Sequence, residues 1–276
     1  MSKCMVKAAG QQQKLPRVDL VGYVDTLLAG TYSGFYDVTE PGGAKSGTDV
    51  IAVNNNDRVF RLTQLSPSGT ASDITMVKVG EGGLPTEDPF ELWLRKDVVS
   101  AAGFAYPKKP FVGMKKAILA GDEPDDVGSG QVTMTLGNGG SAVKHLMFIY
   151  YGIKTLHEVR NETWDGIQLI LDTYPQLNLP VPMEPGTLAV RLELLDDVNP
   201  SKPVITYWVN GVEQPPVDNS QLQDVDPAIG LDFNYYLMAL TFPCWVTQKL
   251  LLTTKRLTLS EIGTLNAHFH TNSDMP

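Results

Sequence analysis

The sequence predicts a mostly β protein built from antiparallel strands. Short runs rich in Val, Ile, Thr, Tyr and Phe recur between Tyr32 and Thr253, and Gly, Pro, Asn and Asp separate them. The clearest case is the stretch 203–216, where Asn210-Gly211 lies between two arms of alternating apolar and polar residues. Asn-Gly tolerates positive φ in a two-residue turn and therefore indicates a hairpin. Since helices do not alternate with the strands, a doubly wound parallel sheet is disfavoured.

These observations favour an antiparallel β-sandwich or jelly roll with one or two peripheral helices. Residues 1–14 are small and polar and are expected to form a flexible N-terminal arm. Residues 15–270 are expected to form a single β-rich domain, with a candidate subdivision at the acidic loop 120–130. Residues 271–276 are expected to be a frayed tail.

The domain begins with a segment, 15–30, that fits either a helix or a strand. Val18, Val21, Val24 and Leu28 lie close to helical spacing and Gly30 can end a helix, which favours the helix. The strands that follow are predicted, in chain order, at 31–38, 48–53, 57–65, 74–79, 111–119, 131–136, 142–152, 153–159, 165–174 (which also fits a short helix), 187–195, 234–240 and 245–254, with the hairpin of 203–216 after 187–195.

The sequence also predicts one hairpin between these strands and one stretch without regular structure. The Asn-rich stretch 54–57 predicts a turn that joins 48–53 and 57–65 into a hairpin. The stretch 176–186 contains too many prolines for a helix or a strand.

Two further helices are predicted from capping patterns. Asp88 can cap a helix over 89–102, with Pro89 at its first position and Glu91 completing a capping box. Its stripe of apolar side chains is expected to pack on a sheet, and consists of Phe90, Trp93, Leu94 and Val98. Thr258 and Glu261 predict a second capping box, before a short helix over 259–268.

Charge and composition exclude several classes of partner. The chain carries 22 Lys and Arg against 31 Asp and Glu, and its basic residues are scattered. Nucleic acid and anionic membranes are bound by clustered basic residues, so neither is an expected partner. The start has no apolar run typical of a signal peptide, so we expect synthesis in a reducing cytoplasm. Cys4 and Cys244 do not form a disulfide framework, and whether they pair is left open.

Motifs for nucleotide binding and nucleophilic catalysis do not match. The stretch 40–47 has Ala44 where a phosphate-binding loop needs the glycine before its Lys-Ser pair. The chain contains no G-x-S-x-G nucleophile elbow. The densest group of acid–base side chains lies within 157–165, but closeness in sequence does not place carboxylates across a cleft; its members are His157, Glu158, Glu162 and Asp165.

Metal sites are not indicated either. The acidic loop 120–130 does not match a helix-loop-helix calcium loop, because Pro124 interrupts its carboxylates. His268 and His270 would share one face of a strand but would splay apart on a helix. We therefore expect no catalytic residue, no metal and no cofactor.

Aromatic side chains are the remaining candidates for a binding site. Tyr207 and Trp208 lie on opposite faces of one predicted strand, as do Tyr235 and Tyr236. In a two-layered fold one member of each pair faces outwards or towards a partner. An exposed aromatic ring can stack on a sugar or bury area against another subunit, and both uses stay open.

Two resemblances extend these expectations. Residues 187–216, TLAVRLELL followed by VITYWVNGVEQPP, resemble the strand pair of a lectin-like or laminin-G-like jelly roll. The chain as a whole is similar in texture to virion structural proteins of tailed bacteriophages, because it is β-rich, acidic, rich in loops and poor in cysteine.

The phage resemblance implies a non-enzymatic structural or capsid-decoration protein of the virion. Such a protein would be made in the host cytoplasm and would act by assembling with copies of itself, as a homo-oligomer, and with other virion proteins. The first alternative is a carbohydrate-binding module for host attachment, whose partner is a glycan. The second alternative is a glycoside hydrolase-like enzyme, which needs two carboxylates facing one cleft.

Overall fold

The structure is a computed structural model of the 276-residue chain. It describes residues 17–47, 50–55, 57–75, 92–100, 102–114, 132–133, 144–154, 166–171, 176–180, 184–195, 202–220, 224, 236–238 and 245–273.

The described residues contain two α-helices and sixteen β-strands. The helices are α1 (Leu20–Leu28) and α2 (Leu259–Asn272). The strands are β1 (Ser33–Asp37), β2 (Ala44–Lys45), β3 (Arg58–Val59), β4 (Arg61–Leu62), β5 (Ile74–Thr75), β6 (Leu92–Val99), β7 (Ala105–Met114), β8 (Val132–Thr133), β9 (His145–Lys154), β10 (Gly166–Leu171), β11 (Gln176–Pro180), β12 (Gly186–Glu193), β13 (Val204–Val209), β14 (Val212–Glu213), β15 (Tyr236–Met238) and β16 (Trp245–Thr253).

Three antiparallel sheets are formed by these strands. The main sheet has nine strands in the order β14-β13-β12-β9-β16-β7-β6-β3, with β1 also paired to β16. A four-stranded sheet has the order β11-β10-β15-β8, and a three-stranded sheet has the order β2-β4-β5. This mostly β architecture with two helices confirms the predicted fold class.

The centre of the main sheet is buried on both of its faces. Eight consecutive residues of β9 are buried, from Leu146 to Ile153. Because strand side chains alternate in direction, Met147, Ile149 and Tyr151 face one side and Leu146 and Phe148 face the other. The Met147 side packs in one cluster with the apolar residues of both helices. A strand that is apolar on both faces needs cover on both, which explains its continuous hydrophobic sequence.

Both helices are fixed by caps. Asp19 Oδ1 accepts a hydrogen bond from Gly22 N at 3.0 Å, and Gly30 has the positive φ of +77° that follows a helix end. The capping box of α2 has the predicted form, in which Thr258 accepts from Glu261 N and Glu261 accepts from Thr258 N. A helix was therefore correctly predicted in each region.

Strand β16 lies at a branch point of the main sheet. One edge pairs with β9 over its full length, while the other edge pairs with β1 from Lys249 to Thr253 and with β7 at Thr247. A bulge between Thr247 and Lys249 separates the two pairings. At the junction, Lys249 Nζ lies 3.1 Å from Asp37 Oδ2, and these side chains are 0% and 3% exposed.

The predicted hairpin at Asn210-Gly211 is confirmed. Strands β13 and β14 pair through this turn, and φ is 51° at Asn210 and 78° at Gly211. Positive φ at both central residues is the conformation for which Asn-Gly is suited.

The predicted helix over 89–102 is wrong, because its described part forms strand β6. Its residues pair with β7 from Leu92↔Met114 to Val99↔Ala105. The buried residues Leu94 and Val98 are four apart, a spacing that fits one helical turn and equally two strand repeats. The capping pattern at Asp88 lies outside the described residues.

Three smaller predictions also need correction. The prediction that 48–53 and 57–65 form a hairpin is wrong, since β4 pairs instead with β2 and with β5. The proline-rich stretch does contain a strand, β11, with Pro180 at its end. Helix α2 continues beyond its predicted end at 268 to Asn272, and both Thr271 and Ser273 are buried.

Other predicted features lie outside the described residues. They are the arm 1–14, the acidic loop 120–130, residues 155–159, and both Cys4 and Cys244.

The helix pair should lose stability when its histidines are protonated. His268 packs edge-on against Tyr23 of α1 at 4.6 Å between ring centroids, and His270 packs edge-on against Tyr151 at 5.1 Å. Burial lowers the pKa of both imidazoles, so the unfolded chain binds more protons than the folded one below about pH 6.5. Urea denaturation should show lower stability at pH 5.5 than at pH 7.5, by up to about 1.4 kcal/mol for each histidine.

A matched variant isolates this effect. His268→Phe with His270→Phe removes both protonation sites, so its stability should change less between the two pH values. Equal pH dependence in the variant and the natural protein would contradict the assignment.

Candidate interaction surface

Among the residues that the structure describes, the most exposed group of neighbouring apolar residues is a short loop at residues 50–53, here called the apolar loop. Val50, Ile51 and Val53 are 63%, 45% and 55% exposed, while Ala52 between them is buried. Three large apolar side chains within four residues therefore point into solvent.

The backbone of the apolar loop is held by hydrogen bonds on both sides. Ser46 N donates to Val50 O at 2.8 Å, and Ala52 N donates to Ala44 O at 3.0 Å. The carboxylate of Asp57 accepts from the backbone N–H groups of Val53 and Asn54, each at 2.8 Å. The bond from Asn54 is the main cause of the lowered pKa of Asp57.

Strand β6 provides a further anchor for this loop. Lys96 Nζ donates to Val53 O, and Lys96 N donates to Asn55 Oδ1 at 2.8 Å. The loop is therefore fixed in place before any partner binds. A contact made by such a loop costs less conformational entropy than one made by a flexible segment.

Other exposed apolar residues are dispersed over the described surface. They are Val99 and Phe104 at the β6–β7 turn, Leu195 after β12, Val212 on β14 and Leu259 at the start of α2. Single exposed apolar side chains are normal on soluble domains, whereas a contiguous group marks an interaction site. The apolar loop is the group that meets this description.

The ends of the main sheet are poorly suited to pairing with another strand. Terminal strands β14 and β3 have two residues each. Two prolines, Pro215 and Pro216, follow β14 almost at once and have no N–H to donate. Short strands and prolines at an edge disfavour strand addition, so contacts through side chains are favoured over contacts through the sheet edge.

The structure places the four sequence-predicted aromatics in different environments. Trp208 is 1% exposed and faces the core cluster, with Arg191 Cζ 4.9 Å from its ring centre. Tyr207 lies on the opposite face and is half-buried. Tyr236 lies on β15, of which the backbone is described, and Tyr235 lies outside the described residues. Trp208 is covered and offers no free face for stacking on a sugar.

The charged groups near Trp208 form an ion-pair network. Glu193 accepts from Arg256 Nη1 at 3.1 Å and lies 4.0 Å from Arg191 Nε. His145 on the neighbouring strand makes a 3.2 Å hydrogen bond to the carbonyl oxygen of Thr254 through Nδ1. Burial lowers the pKa of His145, with opposing effects from the Thr254 bond and Glu193. This network links β9 and β12 to the segment that precedes α2.

The acid–base and metal candidates of the sequence are not brought together by the described residues. The group within 157–165 and the acidic loop lie outside them, and Asp224 forms an ion pair with Lys202 at 3.5 Å. Among the residues that the structure describes, no set of three His, Cys, Asp or Glu side chains could hold a metal ion. His268 and His270 lie on α2 and contact different aromatic rings.

A cavity of about 10 Å³ lies between the main sheet and β4, lined by residues that include Tyr36, Leu62 and Leu250, and has room for about one water molecule. In the described part of the chain, no helix combines the length and apolar character that a membrane crossing requires.

Comparison with known proteins gives fold-level similarity alone. No protein-family model matches the chain, and no curated protein sequence is similar to it. Domain 4 of AbnA, an extracellular GH43 arabinanase from Geobacillus stearothermophilus solved with arabinotriose, is 9% identical at a TM-score of 0.41, covering 86% of this chain and 98% of that one. Trypanosoma rangeli sialidase with 2,3-difluorosialic acid is 11% identical at a TM-score of 0.38, and the match covers 92% of this chain and 38% of that one. The same sialidase with the inhibitor DANA is 12% identical at a TM-score of 0.38, and the match covers 89% of this chain and 37% of that one.

Substitution of Trp208 should reveal its role in the core. Trp208→Ala removes a fully buried ring and should lower the free energy of unfolding by about 3–5 kcal/mol. Tyr207→Ala, on the other face of the same strand, removes a half-buried ring and should cost clearly less. Urea denaturation followed by circular dichroism measures both, and equal losses would contradict the packing described for this strand.

Proposed function

We propose that this chain is a non-enzymatic structural protein that assembles with further copies of itself through the apolar loop. The observation that carries the proposal is the exposure of Val50, Ile51 and Val53 on a backbone fixed by hydrogen bonds. Apolar side chains held rigidly in solvent gain free energy when a partner covers them.

The distribution of charge supports a second copy as the partner. Residues 1–17 contain Lys3, Lys7, Lys14 and Arg17 and no acidic residue, while all 31 Asp and Glu lie in the remainder. A basic N-terminal stretch is electrostatically complementary to the acidic remainder of a neighbouring copy. Truncating this stretch should therefore weaken association and make it less sensitive to salt.

The virion of a tailed phage is the proposed setting. The support for this step is the texture of the sequence, which is β-rich, acidic and rich in loops. In that setting the apolar loop would contact neighbouring copies or other virion proteins on the particle surface. The carbohydrate-binding and glycoside hydrolase-like alternatives would need an exposed aromatic platform or a facing pair of carboxylates, respectively.

A substitution in the apolar loop tests the proposal. Replacing Val50, Ile51 and Val53 together by Thr keeps the β-branched shape and removes apolar surface. We expect the natural protein to be oligomeric at micromolar concentration and the variant to associate at least about tenfold more weakly. Sedimentation velocity over a concentration series measures both association constants.

Val212→Thr is the matched control for this variant. Val212 is 63% exposed, as is Val50, but lies on the terminal strand β14. The control should associate like the natural protein. A monomeric natural protein, or equal weakening in the control, would contradict the proposed surface, and glycan-array binding by a monomer would favour the carbohydrate-binding alternative.

A further inference from the structure

The pair formed by Asp37 and Lys249 has an arrangement suited to a chemical reaction. Asp37 ends β1 and lies directly opposite Lys249 of β16 in the strand register. Lys249 Nζ is 3.1 Å from Asp37 Oδ2, and both side chains are almost completely buried. The next residues in this register are Tyr36 opposite Leu250 and Phe35 opposite Leu251, all of them buried.

The two groups are almost completely shielded from water. Removing a carboxylate and an ammonium from water costs free energy that their attraction only partly repays. Burial lowers the pKa of Lys249, while the neighbouring Asp37 acts in the opposite direction. Transfer of one proton from Nζ to Oδ2 would give a neutral amine, which is a nucleophile, and a carboxylic acid.

The other oxygen of Asp37 is held by two donors. Thr39 donates to Oδ1 from its backbone N–H at 2.8 Å and from its hydroxyl at 2.6 Å. These donors polarise the carbonyl and can stabilise negative charge that develops on Oδ1 during attack at Cγ. Oδ2, on the lysine side, is left as the leaving oxygen. The two oxygens of one carboxyl group thus have separate roles.

The amine is also oriented by its neighbours. Gln248 Oε1 accepts a hydrogen bond from Lys249 Nζ at 3.0 Å, and the Tyr151 ring centre lies 5.9 Å from Nζ. Gln248 occupies the bulge of β16. These contacts hold Nζ beside Asp37. This positioning gives the amine a high effective concentration at the carboxyl group, which a bimolecular amide formation would lack.

We propose that Lys249 and Asp37 condense to an intramolecular isopeptide bond that joins the first and last strands of the main sheet. The bond Nζ–Cγ forms and the bond Cγ–Oδ2 breaks. Of the three protons on the lysine ammonium, one stays on the amide nitrogen and two leave on Oδ2 as water. No oxidant, reductant or co-reactant is needed, and the two charges are lost together.

Mass spectrometry of the natural protein tests this inference. The intact mass should be lower than the sequence mass by one water molecule, after allowance for processing of the N-terminus. Digestion should release a branched peptide that contains residues from both β1 and β16. Separate linear peptides with free Asp37 and Lys249 side chains, and no branched peptide, would overturn the proposal, and this result requires no variant.

Variants assign the chemistry to individual groups. Asp37→Ala and Lys249→Met should each show the full mass expected from their sequences. Asp37→Asn should lose ammonia in place of water, because the lysine nitrogen then displaces the NH2 group of the side-chain amide. Thr39→Val removes the hydroxyl donor to Oδ1 and should slow bond formation in newly synthesised protein, and an unchanged rate would contradict the role given to that hydroxyl.

A second ion pair within the same protein provides an internal control. Lys255 Nζ lies 2.9 Å from Glu261 Oε1, but these side chains are 31% and 27% exposed. Solvent reaches both groups, so this pair lacks the desolvation that acts on Lys249. Peptide mapping should find these two side chains unlinked, and equal linkage at both pairs would show that burial is not the cause.

Discussion

The architecture depends on the shared edge of strand β16. This strand pairs with β9 along one edge, and its other edge is divided between β1 and β7 at the Gln248 bulge. Val38 N donates to Gln248 O at 3.0 Å, and Gln248 Nε2 donates to Pro110 O at 3.3 Å, so the bulged residue bonds to both diverging segments. The Asp37–Lys249 pair lies at this junction and favours one register of β1. A shift of β1 by one residue would separate Lys249 from Asp37 and leave its charge buried among apolar side chains.

Pairing of β1 with β16 also explains where the helices lie. Helix α1 directly precedes β1 and helix α2 directly follows β16, so the strand pairing brings both helices to the same face of the sheet. There Leu20, Val24 and Leu28 pack in one cluster with Ile262, Leu265 and Phe269. The small sheet that follows β1 carries the apolar loop, which is anchored to β6 through Lys96. The proposed contact surface is thus attached to the main sheet through β6.

Local signals in the sequence were sufficient where short-range physics decides the structure. Asn210-Gly211 forms the expected turn, and Thr258 with Glu261 forms the expected capping box, because both depend on residues close in sequence. The four-residue spacing of Leu94 and Val98 fits a helix and a strand equally, and pairing with β7 makes this segment a strand. Pairing of the first strand with the last could not be read from the sequence, since it joins distant segments. The apolar loop was predicted to be a strand from its Val and Ile content, and its exposure depends on tertiary packing.

The most direct test of this account is a mutant cycle at the junction of β1 and β16. Asp37→Leu and Lys249→Met each leave one buried group without its partner, which should cost about 3–5 kcal/mol in the free energy of unfolding. The double variant leaves no buried charge at this position. Urea denaturation should therefore show the double variant to be more stable than either single variant. A double variant that loses the sum of the two single losses would contradict the role of this pair as the constraint on which the sheet depends.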